Sequence, residues 1–301
     1  MYLITGATGH VGRELVEQLL AVGADVRAVS RRPPAAHLSD RVDVVPTADS
    51  APALRGVSAV FLNATAIGLF TDVGTAKDRL QTFLGQAASH GVHRIVLLSS
   101  SSVLDDTNPV GRHHRELERQ VQHRGLEWIL LRPGIFNCNT LDWAEDIRSR
   151  GVVCAPFGSA RMAPVDERDI AAVAAQALLC DSTHRLVGSA PVLSGPEVLT
   201  PADQARIISK AIGVSLRFEE LAPEKAHRAL VEAGAPLWAA DGLLRYYAKA
   251  VTHPVAISPA VAQITGTPPR TFANWVMDRA AAFRRPTRTR PAGSTATPTA
   301  P

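Results

Sequence analysis

Residues 5–12 read TGATGHVG, with Gly6, Gly9 and Gly12 spaced G-x-x-G-x-x-G. An apolar run, YLI, precedes them, and Val11, Leu15, Leu19 and Val22 follow at helical spacing. Glycines between a strand and a helix are the pattern of a dinucleotide cradle. Gly6 permits the tight turn, Gly9 lets the backbone approach a diphosphate, and Gly12 allows close packing of helix on strand. The free N–H groups and the dipole of the helix N-terminus complete an anion site. Thr5, Thr8, His10 and Val11 flank the glycines and are expected to line the same cradle.

The second strand ends at Val29-Ser30-Arg31-Arg32-Pro33. An NAD site places an acidic residue here to accept from the ribose hydroxyls. Ser30 is not acidic, and two guanidinium groups follow it. A guanidinium binds a 2′-phosphate with paired hydrogen bonds, whereas a carboxylate repels it. Arg31, with Arg32 beside it, is therefore expected to select NADP(H).

The elements that must position these groups alternate. Strand-like runs at 2–5, 24–30, 42–45, 57–63, 94–99 and 126–132 are interleaved with helix-like runs at 11–22, 74–90 and 110–124. This predicts an α/β fold of Rossmann type, a doubly wound parallel sheet covered on both faces. Beyond Pro133 the pattern shifts. A helix is expected over 166–180, capped by Asp166, with short strands near 186–193 and 215–219. Alanine-rich helices are expected at about 201–212, 223–233, 237–250 and 271–283. The chain divides on this reading into a core over 1–185, a smaller and mostly helical substrate-covering region over 186–283, and a disordered tail over 284–301, where nothing larger than Ala or Pro is apolar.

Apolar residues make up 46% of the 301, enough to bury a sizeable core, while aromatics at 5% argue against a nucleobase-stacking protein. The net charge of +4 is partly carried by residues 284–290, so the folded part is near neutral and no nucleic-acid partner is expected. Cys138, Cys154 and Cys180 form no CxxC pair, which points to a reducing, cytoplasmic setting. No apolar stretch reaches membrane-spanning length, and a monomer or homodimer is expected. His113, His114 and Glu116 lack H-E-x-x-H order, so no metal is expected.

TGATGHVG, RIVLLSSSSV (94–103), HHRELERQVQHRGLEWILLRPG (113–134), PVDERDIAAVAAQAL (164–178) and VAQITGTPPRTFANWVMDRAAAF (261–283) together resemble the NmrA-like, NADP-binding group of atypical short-chain dehydrogenases/reductases. The resemblance implies that Phe61, Leu62, Asn63 and Ala64 lie on the adenosine side of the cofactor. It places Ser99 and Ser100 near the nicotinamide, and Pro133, Gly134 and Ile135 against its carboxamide. The group includes quinone, isoflavone and triphenylmethane-dye reductases, ketoreductases and redox-sensing regulators.

Typical members of that superfamily reduce carbonyls with Ser, Tyr and Lys, the last two spaced Y-x-x-x-K. The only tyrosines here are Tyr2, Tyr246 and Tyr247, and none has a lysine four residues on. His114 stands eleven residues before Gly125, where such reductases carry Lys or His, and is the candidate to hold the ribose or donate a proton. Ser99 and Ser100 are candidate oxyanion donors. The reading is an NADPH-dependent ketone or quinone reductase whose substrate, small and aromatic or quinonoid, stabilises its own oxyanion. The alternative is an NADP(H) sensor without turnover.

Overall fold

The computed structural model describes residues 1–285; of the tail expected at 284–301, residues 286–301 lie outside the described part. The chain runs β1 (Tyr2–Ile4), α1 (His10–Ala21), β2 (Val26–Val29), β3 (Asp43–Val45), α2 (Ala51–Leu54), β4 (Ala59–Asn63), α3 (Val73–Ser89), β5 (Arg94–Leu98), α4 (Pro109–Gln122) and β6 (Glu127–Pro133). It continues through α5 (Ala144–Arg150), β7 (Val152–Ala155), α6 (Glu167–Leu179), β8 (Val192–Leu193), α7 (Pro201–Ile212), β9 (Arg217–Glu220), α8 (Pro223–Glu232), α9 (Leu237–Thr252), α10 (Ala260–Thr265) and α11 (Phe272–Phe283).

Seven strands form one parallel sheet in the order β3-β2-β1-β4-β5-β6-β8. Side chains alternate across it. Ile4, Phe61, Val96 and Ile129 point to one core with Leu15 of α1 and Ile170 of α6. Leu3, Val60, Leu62, Ile95 and Leu130 point to the other with Leu80 of α3 and Leu117 of α4. Each fully buried Leu or Ile contributes roughly 1.5–3 kcal/mol. Phe61 and Leu62, expected near adenosine, are fully buried strand residues and offer a ligand nothing but backbone.

The strand order reverses between β1 and β4, the switch point at which ligands bind outside the carboxyl ends. Register pairs Asn63 with Leu98 and Leu98 with Leu131, so the segments after β4, β5 and β6 emerge side by side. The regions anticipated on either side of residue 185 exchange strands. Val192–Leu193 joins the main sheet beside β6, while β7 leaves it to pair with β9 in a separate two-stranded sheet. That smaller sheet packs with α5, α7 and α11 around Trp275, Phe272 and Phe283.

Helix α9 closes over the strand ends. Asn108 caps α4 by accepting from Val110 N, and its amide also donates to the Gly242 carbonyl of α9 at 2.9 Å. Gly242 must be small, because a Cβ there would lie 2.5 Å from the Val110 side chain. Lys249 pairs with Asp105 at 3.0 Å further along the helix. No helix among the described residues is long and apolar enough to cross a membrane.

Candidate nicotinamide-dinucleotide site

Gly6 has φ +69°, and Gly9 closes the turn by donating to the Gly6 carbonyl at 3.0 Å. No side chain caps α1, so its first N–H groups have no side-chain acceptor. Gly12 packs on the turn itself rather than on the strand: a Cβ would sit 2.1 Å from the Gly6 oxygen and 2.8 Å from the Ala7 Cα. Thr5 is fully buried and braces β1 to β4, accepting from Asn63 N at 2.7 Å and donating to the Phe61 carbonyl at 3.1 Å. Its role is to hold the turn. Val11 is buried in the core, whereas Thr8, Gly9 and His10 are exposed.

Arg31 and Arg32 leave β2 exposed, and among the described residues neither guanidinium has a carboxylate or carbonyl partner. The loop they begin is fixed by a residue that sequence reading overlooked. Arg13, on the first turn of α1, donates to the carbonyls of Ala36 and His37 at 3.1 and 2.9 Å. The signal available was a third cation at the start of the helix that follows the glycines.

At the strand ends, Asn63 caps the turn after β4 through its carbonyl oxygen, which accepts from Thr65 N at 3.1 Å, and Ala64 is buried behind it. Ser99 differs from expectation. It is buried, and its hydroxyl donates to Glu118 at 2.6 Å. Glu118 in turn holds Arg132 through two bonds of 2.9 and 2.6 Å. A hydroxyl committed to a buried carboxylate is a strut for β5, α4 and β6, not a free oxyanion donor. Ser100 caps its own turn, accepting from Ser102 N. Pro133 is buried, and Gly134 donates to the Leu193 carbonyl of β8 at 2.9 Å.

Two clefts, of about 210 and 410 Å³, open over these ends. Ser100 and Ile135 line the smaller; Ser101, Ser102 and Gly134 line both. Tyr246 of α9 also lines both, its hydroxyl 3.5 Å from where a Cβ on Gly134 would stand. Burial pushes its phenol pKa upward, partly opposed by the Ser101 hydroxyl. The phenol is therefore neutral and can donate.

His114 is not in either cleft. It is 7% exposed, its Nδ1 has no hydrogen-bond partner, and its ring lies 5.9 Å from Phe70. Burial lowers its pKa to about 3, with His113 adding a smaller repulsion, so it is a neutral imidazole and not an acid at ordinary pH. His113 stacks on Trp238 of α9 at 4.7 Å and is likewise shifted down by burial, which the nearby Leu69 carbonyl only partly offsets. The unfolded chain therefore takes up protons below pH 6.5 before the folded chain does, and stability falls as pH drops from 6.5 toward 3. Each pH unit costs up to about 1.4 kcal/mol per such imidazole. Thermal melts at pH 7 and 5 are expected to show a smaller drop for His114→Leu than for the parent; parallel drops would remove His114 from this account.

A parallel sheet whose strand order reverses beside an uncapped glycine turn is an arrangement that binds nucleotide cofactors. The chain belongs to the NAD(P)H-binding family, whose profile matches residues 6–181, and its fold is similar to that of NmrA, with a TM-score of 0.71 at 16% identity. It is 39% identical over 291 residues to the (4-alkanoyl-5-oxo-2,5-dihydrofuran-3-yl)methyl phosphate reductase of Streptomyces griseus subsp. griseus, covering 94% of this chain and 99% of that one. It is 30% identical over 286 residues to the NAD(P)H azoreductase of Xenophilus azovorans, covering 94% and 99%. Its fold is similar to that of Citrobacter sp. triphenylmethane reductase complexed with NADP(H), with a TM-score of 0.76 at 19% identity, covering 93% and 100%.

Proposed function

We propose that the chain uses NADPH to reduce an electron-poor conjugated system, either a quinone or an enone activated by a second carbonyl. The observation that carries this reading is the pair of clefts over β5 and β6, where one neutral phenol from α9 stands in a site without an acid on α4. A nicotinamide held by the glycine turn would supply hydride to the electron-poor carbon, leaving the negative charge on the substrate oxygen. With two carbonyls in conjugation, or an aromatic ring formed in the product, that oxyanion is delocalised and needs only a hydrogen bond. Solvent then supplies the proton. The relative at 39% identity is named for a furanone whose ring double bond is conjugated to two carbonyls, which supports this class. Reductase names among the relatives favour turnover over sensing.

In the test, purified protein and NADPH are mixed with a para-quinone, an azo dye and a 2-acylbutenolide, and absorbance is followed. NADPH oxidation well above background is expected with at least one; none with all three would overturn the reading.

The unpaired Arg31 and Arg32, with Arg13 fixing their loop, support NADPH over NADH. Arg31→Glu is expected to cut kcat/KM for NADPH about 10- to 100-fold, the worth of one charged hydrogen bond. Activity with NADH should change much less. Equal losses on both cofactors would show that Arg31 does not read the 2′-phosphate.

A further inference from the structure

We propose that His10, Cys138 and Glu167 form a binding site for a divalent transition-metal ion, with zinc the best match. The three come from separate segments, yet one ligand atom of each lies within 4.8 Å of the other two. The fold explains the meeting. Helices α1 and α6 pack side by side on one face of the sheet, and His10 and Glu167 are their first residues. Cys138 lies on the short 3₁₀ helix after β6, Asn137–Trp143, which is tied to the approach to α6 by Asn137 N donating to the Val165 carbonyl at 2.9 Å.

Glu167 is the observation that asks for a ligand. It is 1% exposed, and apart from the Cys138 thiol, itself a member of the cluster, neither carboxylate oxygen has a hydrogen-bond partner. Its neighbour Asp166, equally buried, accepts from Arg168 N at 2.9 Å and pairs with Arg270 at 2.7 Å. An isolated buried carboxylate costs several kcal/mol unless a cation or a proton neutralises it. Asn137 is fully buried one residue from Cys138, and both ends of its amide also lack partners.

The donor set narrows the ion. Imidazole nitrogen, thiolate sulfur and carboxylate oxygen make three protein ligands with a fourth position open, an arrangement zinc adopts. The soft thiolate disfavours magnesium and calcium. Zinc bonds of about 2.0–2.3 Å place tetrahedral ligands roughly 3.3–3.8 Å apart, so the three groups need draw in by no more than about an ångström and a half. His10 is exposed while the other two are buried, which gives an ion its entry from the glycine-turn side. Binding releases the thiol proton to solvent. The ion would clamp the glycine turn to α6 and the 3₁₀ helix, a structural role beyond the reductase reading.

The test uses the full chain and Co²⁺ alone. One equivalent is expected to give a sulfur-to-cobalt charge-transfer band in the near ultraviolet, displaced by Zn²⁺. Cys138→Ser should abolish the band, whereas Cys154→Ser and Cys180→Ser should retain it. Glu167→Gln and His10→Ala should each weaken binding at least ten-fold. His10 is exposed, so His10→Ala keeps the proposal testable where a buried variant does not fold. Zn²⁺ should also raise the melting temperature of the parent and not of His10→Ala. No band in the parent at saturating Co²⁺, a band that survives Cys138→Ser, or equal binding by parent and His10→Ala would overturn the site.

Discussion

Gly12→Ala is expected to melt at a lower temperature than the parent and to lose most of its affinity for NADPH. The new methyl would stand 2.1 Å from the Gly6 oxygen, 2.7 Å from the Gly6 carbonyl carbon and 2.8 Å from the Ala7 Cα, all backbone atoms that cannot rotate away. The turn cannot retreat either. Gly6 is closed in on its far side, where a Cβ would meet Asn63 Nδ2 at 3.0 Å and Ala66 Cβ at 3.1 Å, and Thr5 bolts the preceding residue to β4. Helix α1 must therefore lift off the turn. Overpacking of this kind costs about 3 kcal/mol. A loss of that size lowers Tm by roughly 5 °C in a chain of this length. The N–H groups that would receive the diphosphate move with the helix, so NADPH binding should weaken at least ten-fold. Gly23→Ala is the control. Unlike Gly12, Gly23 has a positive φ of 77°, and a Cβ there meets nothing within 4 Å, so it carries backbone strain alone and should bind NADPH as the parent does. If Gly12→Ala binds NADPH with unchanged affinity in titration calorimetry, the turn does not cradle the cofactor.

The parallel sheet was legible in the sequence because its signals are local. Alternation fixes β1 through β6, and the glycine spacing marks the turn between β1 and α1. Asp166 capping α6 was readable for the same reason. Elements that depend on distant partners were not. Strand β7 is four residues long, exists through its pairing with β9 and was not expected; short strands were expected where β8 and β9 lie, but not that β8 joins β6 and β9 joins β7. Helices α5 and α10 are too short for a helical period to stand out. The site residues divide along the same line. Counting back from Gly125 places His114 on α4, but it does not say that Phe70 and Trp238 arrive from two other segments to bury the adjacent histidines. A hint was present in the stripe His114, Leu117, Glu118 and Val121, spaced as one helical face and all buried. The Ser99 partner Glu118 and the clamp from Asn108 to Gly242 are tertiary contacts with no local signature. The place of the Tyr246 hydroxyl over Gly134 likewise depends on the docking of α9 and has no local signature.

Tyr246→Phe is expected to lower kcat without a matching change in KM for NADPH, and the size of the loss should track the substrate. The hydroxyl stands at the boundary of the two clefts, beside Ser101 and above Gly134, and burial raises its pKa so that it stays protonated across the working range. In the proposed reduction it would donate a hydrogen bond to the substrate oxygen on which negative charge collects. Removing one such donor from an oxyanion site costs about 10²–10³-fold in kcat. That full loss applies when the charge settles on a single oxygen, as in an unactivated ketone or simple enone. In a quinone or an acylbutenolide the charge is shared, the bond matters less, and a loss of about ten-fold or smaller is expected. The pH profile of the parent should show no basic limb from this phenol below about pH 10, because its pKa lies above the ordinary phenol value. Steady-state rates for parent and variant on both substrate types decide the matter. Equal losses on localised and delocalised substrates would mean that the Tyr246→Phe change disturbs packing of the lid, and unchanged rates on both would remove Tyr246 from the chemistry while leaving NADPH-dependent reduction itself intact.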